Sequence, residues 1–227
     1  MEKTRKNRMQ RGKWVSALLI AALAAVLLGG CGSFDASGYV KALLDNSYLG
    51  DSTAFVNQKV GTKEQAEELY EQGIETEMSS LTSQIQLSEE LQEEFRAVLK
   101  EVFKNVKYTV GEAKKNGDTY EVEVKYQKMN IFATALESFN TKSEEYMAEV
   151  TEKATNGEET PSDSEVNEEV FRLLKEAIQD SLANASFAEE ASTIIHIELK
   201  NNTWTPNEDD VYQLEQLLFD IEEMSQV

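Results

Sequence analysis

The chain has 227 residues, with 42 acids against 22 lysines and arginines, one cysteine, one histidine and a formal charge of −20. A lone cysteine excludes an internal disulfide framework, and one cysteine with one histidine excludes a Cys/His zinc cluster. The acidity excludes ordinary nucleic-acid binding, which needs basic surface, and weighs against lying flat on anionic lipid.

The charge is not spread evenly. Lys3, Arg5, Lys6, Arg8, Arg11 and Lys13 open the chain against Glu2 alone, and Trp14 to Leu28 is an uncharged run of 15 residues. A basic start, an apolar run and small residues after it form a secretory signal. The run is short of the ~20 apolar residues of a stable membrane span. It ends in Leu28-Gly29-Gly30-Cys31, which resembles a bacterial lipobox. The resemblance implies a diacylglycerol on the Cys31 thiol, palmitate-type acylation, and cleavage before Cys31. The other reading of Cys31 is a buried or transmembrane thiol. On the lipobox reading, residues 1–30 are a signal peptide and residues 31–38 a lipidated N-terminus with a short tether. The remaining 197 residues from Cys31 onward then carry a formal charge of −25. Gly32 to Gly38, fully extended, reach about 25 Å, so the folded part, 39–227, is held near the membrane on its outer side.

Tyr39, Val40, Leu43 and Leu44 fall at helical spacing, with Gly50 as the stop. Thr62 with Gln65 three residues on predicts a capping box. It opens a helix with the stripe Ala66, Leu69, Tyr70, Ile74, Met78, Leu81 and Ile85, with Gly73 inside it. Ser88 opens a third helix with Leu91, Phe95, Val98, Leu99, Val102 and Phe103 on one face. The period then changes to two. Val106, Tyr108 and Val110, then Tyr120, Val122, Val124 and Tyr126, alternate with polar residues around Asn116-Gly117, which predicts a hairpin. Phe132, Leu136, Phe139, Tyr146, Met147 and Val150 mark a fourth helix. Val166, Val170, Leu173, Leu174, Ala177, Ile178 and Leu182 mark a fifth, and "TNGEETPSDSE" between the two reads as a mobile loop. Thr193, Ile195, Ile197 and Leu199 predict a strand that turns at Asn201-Asn202 and returns through Thr203 to Thr205, with Pro206 as its end. A last helix from Glu208 uses Val211, Leu214, Leu217, Leu218 and Ile221.

The order ααα–ββ–αα–ββ–α predicts one α+β domain, a small antiparallel sheet of about four strands in two hairpins packed against several helices. "EEFRAVLKE" and "EEVFRLLKE" precede the two hairpins and share a rough pattern. Both a diverged duplication and chance likeness of two amphipathic helices account for it. The pattern resembles cystatin-like and NTF2-like sheets. With "YTV", "NGD" and "YEVEVKY" after a helix, it also resembles small Gram-positive lipoproteins, of Clostridia especially, that carry an extracytoplasmic domain of unknown function. That resemblance implies attachment to the cell membrane through the N-terminal lipid and brings no catalytic residue.

Chemistry is sparse. His196 is an ordinary strand residue on the more polar face, or else a member of a Ser-His-Asp triad or a proton shuttle. Asn207 to Asp210 is a helix N-terminus rich in acids or a cation site. Tyr108, Tyr120, Tyr126 and Trp204 are core or the lining of a pocket between sheet and helices. No metal ligand set, cofactor motif or catalytic residue is assigned. The expected function is a non-catalytic binding or interaction module at the cell envelope, with an unidentified protein or small-ligand partner. The alternative is an envelope hydrolase using two carboxylates, which requires two acids about 5–10 Å apart in a cleft, one with a raised pKa.

Overall fold

The computed structural model describes residues 34–82, 85–200 and 202–219. Helix α1, Ala36–Leu44, is capped by the Asp35 side chain, which accepts from the Gly38 N–H. It runs into a π-helical turn, Asp45–Leu49, closed by Gly50 at φ 64°. There follow α2 (Thr53–Asn57), α3 (Lys63–Thr82) and α4 (Glu89–Lys104). Strands β1 (Lys107–Asn116) and β2 (Thr119–Gln127) form the first hairpin, and β3 (Met129–Asn130) leads into α5 (Phe132–Asn156) and α6 (Asp163–Ala183). Short β4 (Ser186–Phe187) precedes β5 (Ala191–Lys200) and β6 (Thr203–Pro206), and α7 (Glu208–Phe219) ends the described chain.

The expected α+β class holds: β1-β2-β5-β6 is one antiparallel sheet, with the two hairpins joined through β2 and β5. Its alternation sorts the residues as the two-residue period requires. Val122, Val124, Ile195 and Ile197 are buried under helices, while Glu123, Lys125, Ser192 and Ile194 on the other face are exposed. Helices α1 and α7 lie on the buried face, with Tyr39 Oη donating to the Trp204 carbonyl at 3.1 Å.

Helices α3 to α6 continue past one end of the sheet. Asn46 Nδ2 meets the Ala66 carbonyl, and Gly50 approaches the Tyr70 ring, so α3 advances in the same direction as α1. Helix α4 returns antiparallel to it, with Arg96 on Glu75 and Lys100 on Glu71, and delivers the chain to β1. The second turn of α6 meets the start of α4, where Glu168 accepts from the Ser88 N–H and hydroxyl. The turn between α5 and α6 is therefore at the pole of the molecule opposite the sheet hairpins.

Several expectations need correction. The first helix begins at Ala36, and Phe34 packs on the domain, so the tether expected over 31–38 overlaps folded chain at its far end. The first hairpin turns at Gly117-Asp118, one residue later than expected, because Asn116 pairs with Thr119 and only Gly117 takes positive φ. The connector between α5 and α6 is shorter than its composition suggests. Thr155 and Asn156 complete α5, and Ser162 with Glu165 forms a capping box on α6. Leu81 and Met147, assigned to buried stripes, are 42% and 44% exposed. Ile221 and Asn201 lie outside the described residues, as do Leu28, Gly29, Gly30 and Cys31.

Candidate functional site

A cleft of about 630 Å³ opens where the start of β1 and the end of β2 meet α1 and its π-helical turn. The size is that of sites for small ligands. Asp45 is its fixed point. Four consecutive residues of the π turn, Asp45 to Tyr48, are buried, which a helix lying on a surface by one face cannot do. A carboxylate placed there must be bonded on both oxygens to offset its lost hydration. Tyr108 Oη donates to Oδ1 at 2.8 Å, and Lys41 Nζ bonds Oδ2. Burial first, and then the bond to Asp45, push the Tyr108 hydroxyl well above its ordinary pKa, so it stays a donor.

Across the cleft, Lys125 pairs with Glu190 at 3.4 Å, and Lys107 Nζ stands 3.5 Å from the centre of the Phe187 ring. Tyr126, directly opposite Tyr108 in register, completes the aromatic wall. Val106 to Val110, at the outer edge of the sheet, form the floor. A small polar molecule would meet three ammonium groups, two carboxylates, hydroxyls and two aromatic rings here.

Of the four aromatic residues singled out from sequence, the structure brings two to this cleft and sends two elsewhere. Tyr108 and Tyr126 line it. Tyr120, at the other end of β2, and Trp204, on β6, lie toward the opposite end of the sheet, around Phe34. The Phe34 ring stacks on Trp204, with centroids 5.0 Å apart and 8° between planes, and meets Tyr120 edge-on at 5.6 Å. Tyr39 closes the group at 5.4 Å. The Trp204 Nε1 is buried with no hydrogen-bond partner among the described residues. Nothing in the sequence ties Phe34 to Trp204, because an aromatic residue in an expected tether carries no periodicity.

His196 occupies the open face of the sheet, as its alternation with Ile195 and Ile197 predicts. Its partner was not legible in the sequence: strand β6 stops at Pro206, leaving the outer edge of β5 uncovered, and Asp210 of α7 fills the gap. Asp210 Oδ2 accepts the His196 backbone N–H at 2.9 Å and lies 2.7 Å from Nδ1. The Asn207 side chain caps α7 by accepting from the Asp209 and Asp210 N–H groups at 3.0 and 3.2 Å. Asn207 to Asp210 thus form a helix start.

The acids of the cleft are Asp45 and Glu190. Burial holds the Glu77 carboxyl on α3 above its ordinary range, and Glu77 does not line the cleft. Among the described residues, no group of three or more His, Cys, Asp and Glu side chains could hold a metal ion, and no helix is long and apolar enough to cross a membrane.

No protein-family model matches the chain, and no curated protein matches it. Among solved structures, the fold is similar to that of a putative lipoprotein, YcdA, from Bacillus subtilis, with a TM-score of 0.55 and 16% identity. The match covers 82% of this chain and 56% of that one, so this chain spans little more than half the length of that protein.

Proposed function

We propose that the chain is a lipid-anchored lipoprotein facing outside the cytoplasm, and that its folded domain is a non-catalytic binding module. The observation that carries the address is Leu28-Gly29-Gly30-Cys31 directly after a basic start and an uncharged run. The fold it shares with a putative lipoprotein of a Gram-positive bacterium supports this reading. The physics of attachment agrees: one acyl chain holds a protein to a bilayer only marginally, whereas two, at about 0.8 kcal/mol per buried CH₂, hold it stably. The binding reading rests on the cleft at Asp45, Tyr108 and Tyr126, which offers fixed donors and acceptors beside two aromatic rings.

The test is expression of the full chain in a Gram-positive host fed a labelled fatty acid. The wild-type protein is expected to take up label and lose residues 1–30. Cys31→Ser should take up none and remain uncleaved. A Cys31→Ser protein that still matured and stayed on the membrane would refute the anchor. For the module, native mass spectrometry of the soluble domain from Gly32 onward should find a bound small molecule that is lost in Tyr126→Ala.

A further inference from the structure

The lipid anchor and the Phe34 cluster together fix which end of the domain meets the membrane. Phe34 belongs to the folded body: its ring stacks on Trp204, meets Tyr120 edge-on and lies tilted against Tyr39. Cys31 is three residues before it. Three residues, fully extended, reach about 10 Å. If Cys31 carries diacylglycerol in the outer leaflet, which is the reading proposed above, the Phe34 cluster can stand no further than that from the headgroups. We infer that the domain stands end-on upon the bilayer, with the Phe34 cluster and the two hairpin turns, at Gly117-Asp118 and after Lys200, against the headgroups.

Charge selects the same end. Lys59, Lys114, Lys115 and Lys200 are exposed around the cluster. Lys115 Nζ stands 5.8 Å from the Tyr120 ring centre, and Gln58, next to Lys59, bonds Asp35 at 2.9 Å. Against them stand Asp35, bonded by Gln58 and the Gly38 N–H, Glu121, bonded by Asn116, Glu198, bonded by Lys200 and Asn207, and Glu208, which acts on Lys200. Asp118 sits in the turn itself. This end is thus close to balanced, and Leu199 beside it is 39% exposed. Elsewhere the molecule is strongly negative: residues 132–183, which form α5 and α6, hold thirteen acids and four basic residues. At physiological salt, charges beyond about 8 Å of the surface are screened. An anionic bilayer therefore tolerates the balanced end and repels the others.

One consequence concerns the cleft. Tyr120 belongs to the Phe34 cluster and Tyr126, six residues along the same strand, lines the cleft. At about 3.3 Å per residue the cleft lies roughly 20 Å further from the headgroups, open to what passes outside the membrane. The turn between α5 and α6 lies beyond it.

The test uses the full acylated chain in vesicles of phosphatidylglycerol and phosphatidylcholine that carry a headgroup-bound quencher. With the Cys31 thiol acylated, an added cysteine is the sole free one. A fluorophore on Asp118→Cys should be quenched several-fold more than one on Glu159→Cys. A long Gly/Ser linker inserted between Gly32 and Phe34, which lengthens the chain between anchor and cluster, should shrink that contrast, and Phe34→Tyr, which keeps the stack, should retain it. Equal or reversed quenching in a chain that is acylated and sediments with vesicles overturns the orientation and leaves the anchor standing. A contrast that the inserted linker leaves unchanged removes the short span from Cys31 to Phe34 as its cause. A chain without acyl label overturns the anchor and the orientation with it.

Discussion

Asp45 shows how one buried charge organises its surroundings. It is 4% exposed, and its two oxygens are bonded by Lys41 and Tyr108 from different elements. Tyr108→Phe removes the hydroxyl and leaves one oxygen facing a ring edge. Hydrogen bonds to charged groups contribute about 1.5–3 kcal/mol, and a loss of that order is expected in urea unfolding; an unchanged midpoint would show that Asp45 is satisfied without Tyr108. Glu77 has the opposite character. Burial raises its pKa above the ordinary 4.5, and Tyr48, itself raised first by burial and then by Glu215 and Glu77, is its neighbour. A carboxyl whose folded pKa lies above its unfolded value favours folding when protonated. That contribution is complete below the unfolded pKa and is lost as pH rises through the folded one. Glu77→Gln should therefore be more stable than wild type at about pH 7, with the gap closing toward pH 4. Parallel melts at the two pH values measure it, and a gap that widens on acidification would contradict the burial argument.

At the scale of elements, most of the fold was legible because period and capping are local. Thr62 and Gln65 cap α3 reciprocally, at 2.9 and 3.2 Å, as their spacing predicts. The alternation of β2 and β5 places every buried residue on the expected face. What escaped was either too short for a period or depended on distant chain. Strands β3 and β4 have two residues each and exist because Met129 and Phe187 meet across some sixty residues of intervening helices. The bulge at Gly111-Glu112 breaks the alternation of β1, so that Val110 and Ala113 both face the helices, and Ser37 of α1 docks on the Gly111 carbonyl at 2.8 Å. The capping box of α6 had its Ser162–Glu165 signature, but it lay in a stretch whose proline, glycine and acids read as loop. Ser162→Ala tests how much that cap holds. A lost N-cap costs about 1 kcal/mol, and because the start of α6 is partly exposed the effect should be local. Amide exchange over Asp163 to Val166 should quicken, and the domain's unfolding midpoint should move little.

At the scale of the molecule, the candidate site was only half legible. Tyr108 and Tyr126 line the cleft, whereas Tyr120 and Trp204 hold Phe34, and no spacing rule distinguishes the pairs because the difference lies in which helix end reaches which end of the sheet. Asp45 had no signal either, since an acid inside a helical run reads as solvated face. The total charge, by contrast, is read directly, and it acts on the whole fold. The residues from Cys31 onward carry −25. Ion pairs such as Lys100–Glu71 and Arg96–Glu75 join half-buried cations to exposed acids, and each offsets little of the repulsion. Unfolding spreads like charges apart, so self-repulsion destabilises the compact state. Raising ionic strength from about 0.01 M to about 0.15 M shortens the screening length from roughly 30 Å to roughly 8 Å, which weakens repulsion between distant acids far more than attraction within a contact pair. The melting temperature of the soluble domain should therefore rise with sodium chloride over that interval. Its contact pairs, weakened by salt, pull the other way, so the sign of the shift reports which contribution dominates. A melting temperature that falls would mean that local pairing, and not net charge, governs the stability of this fold.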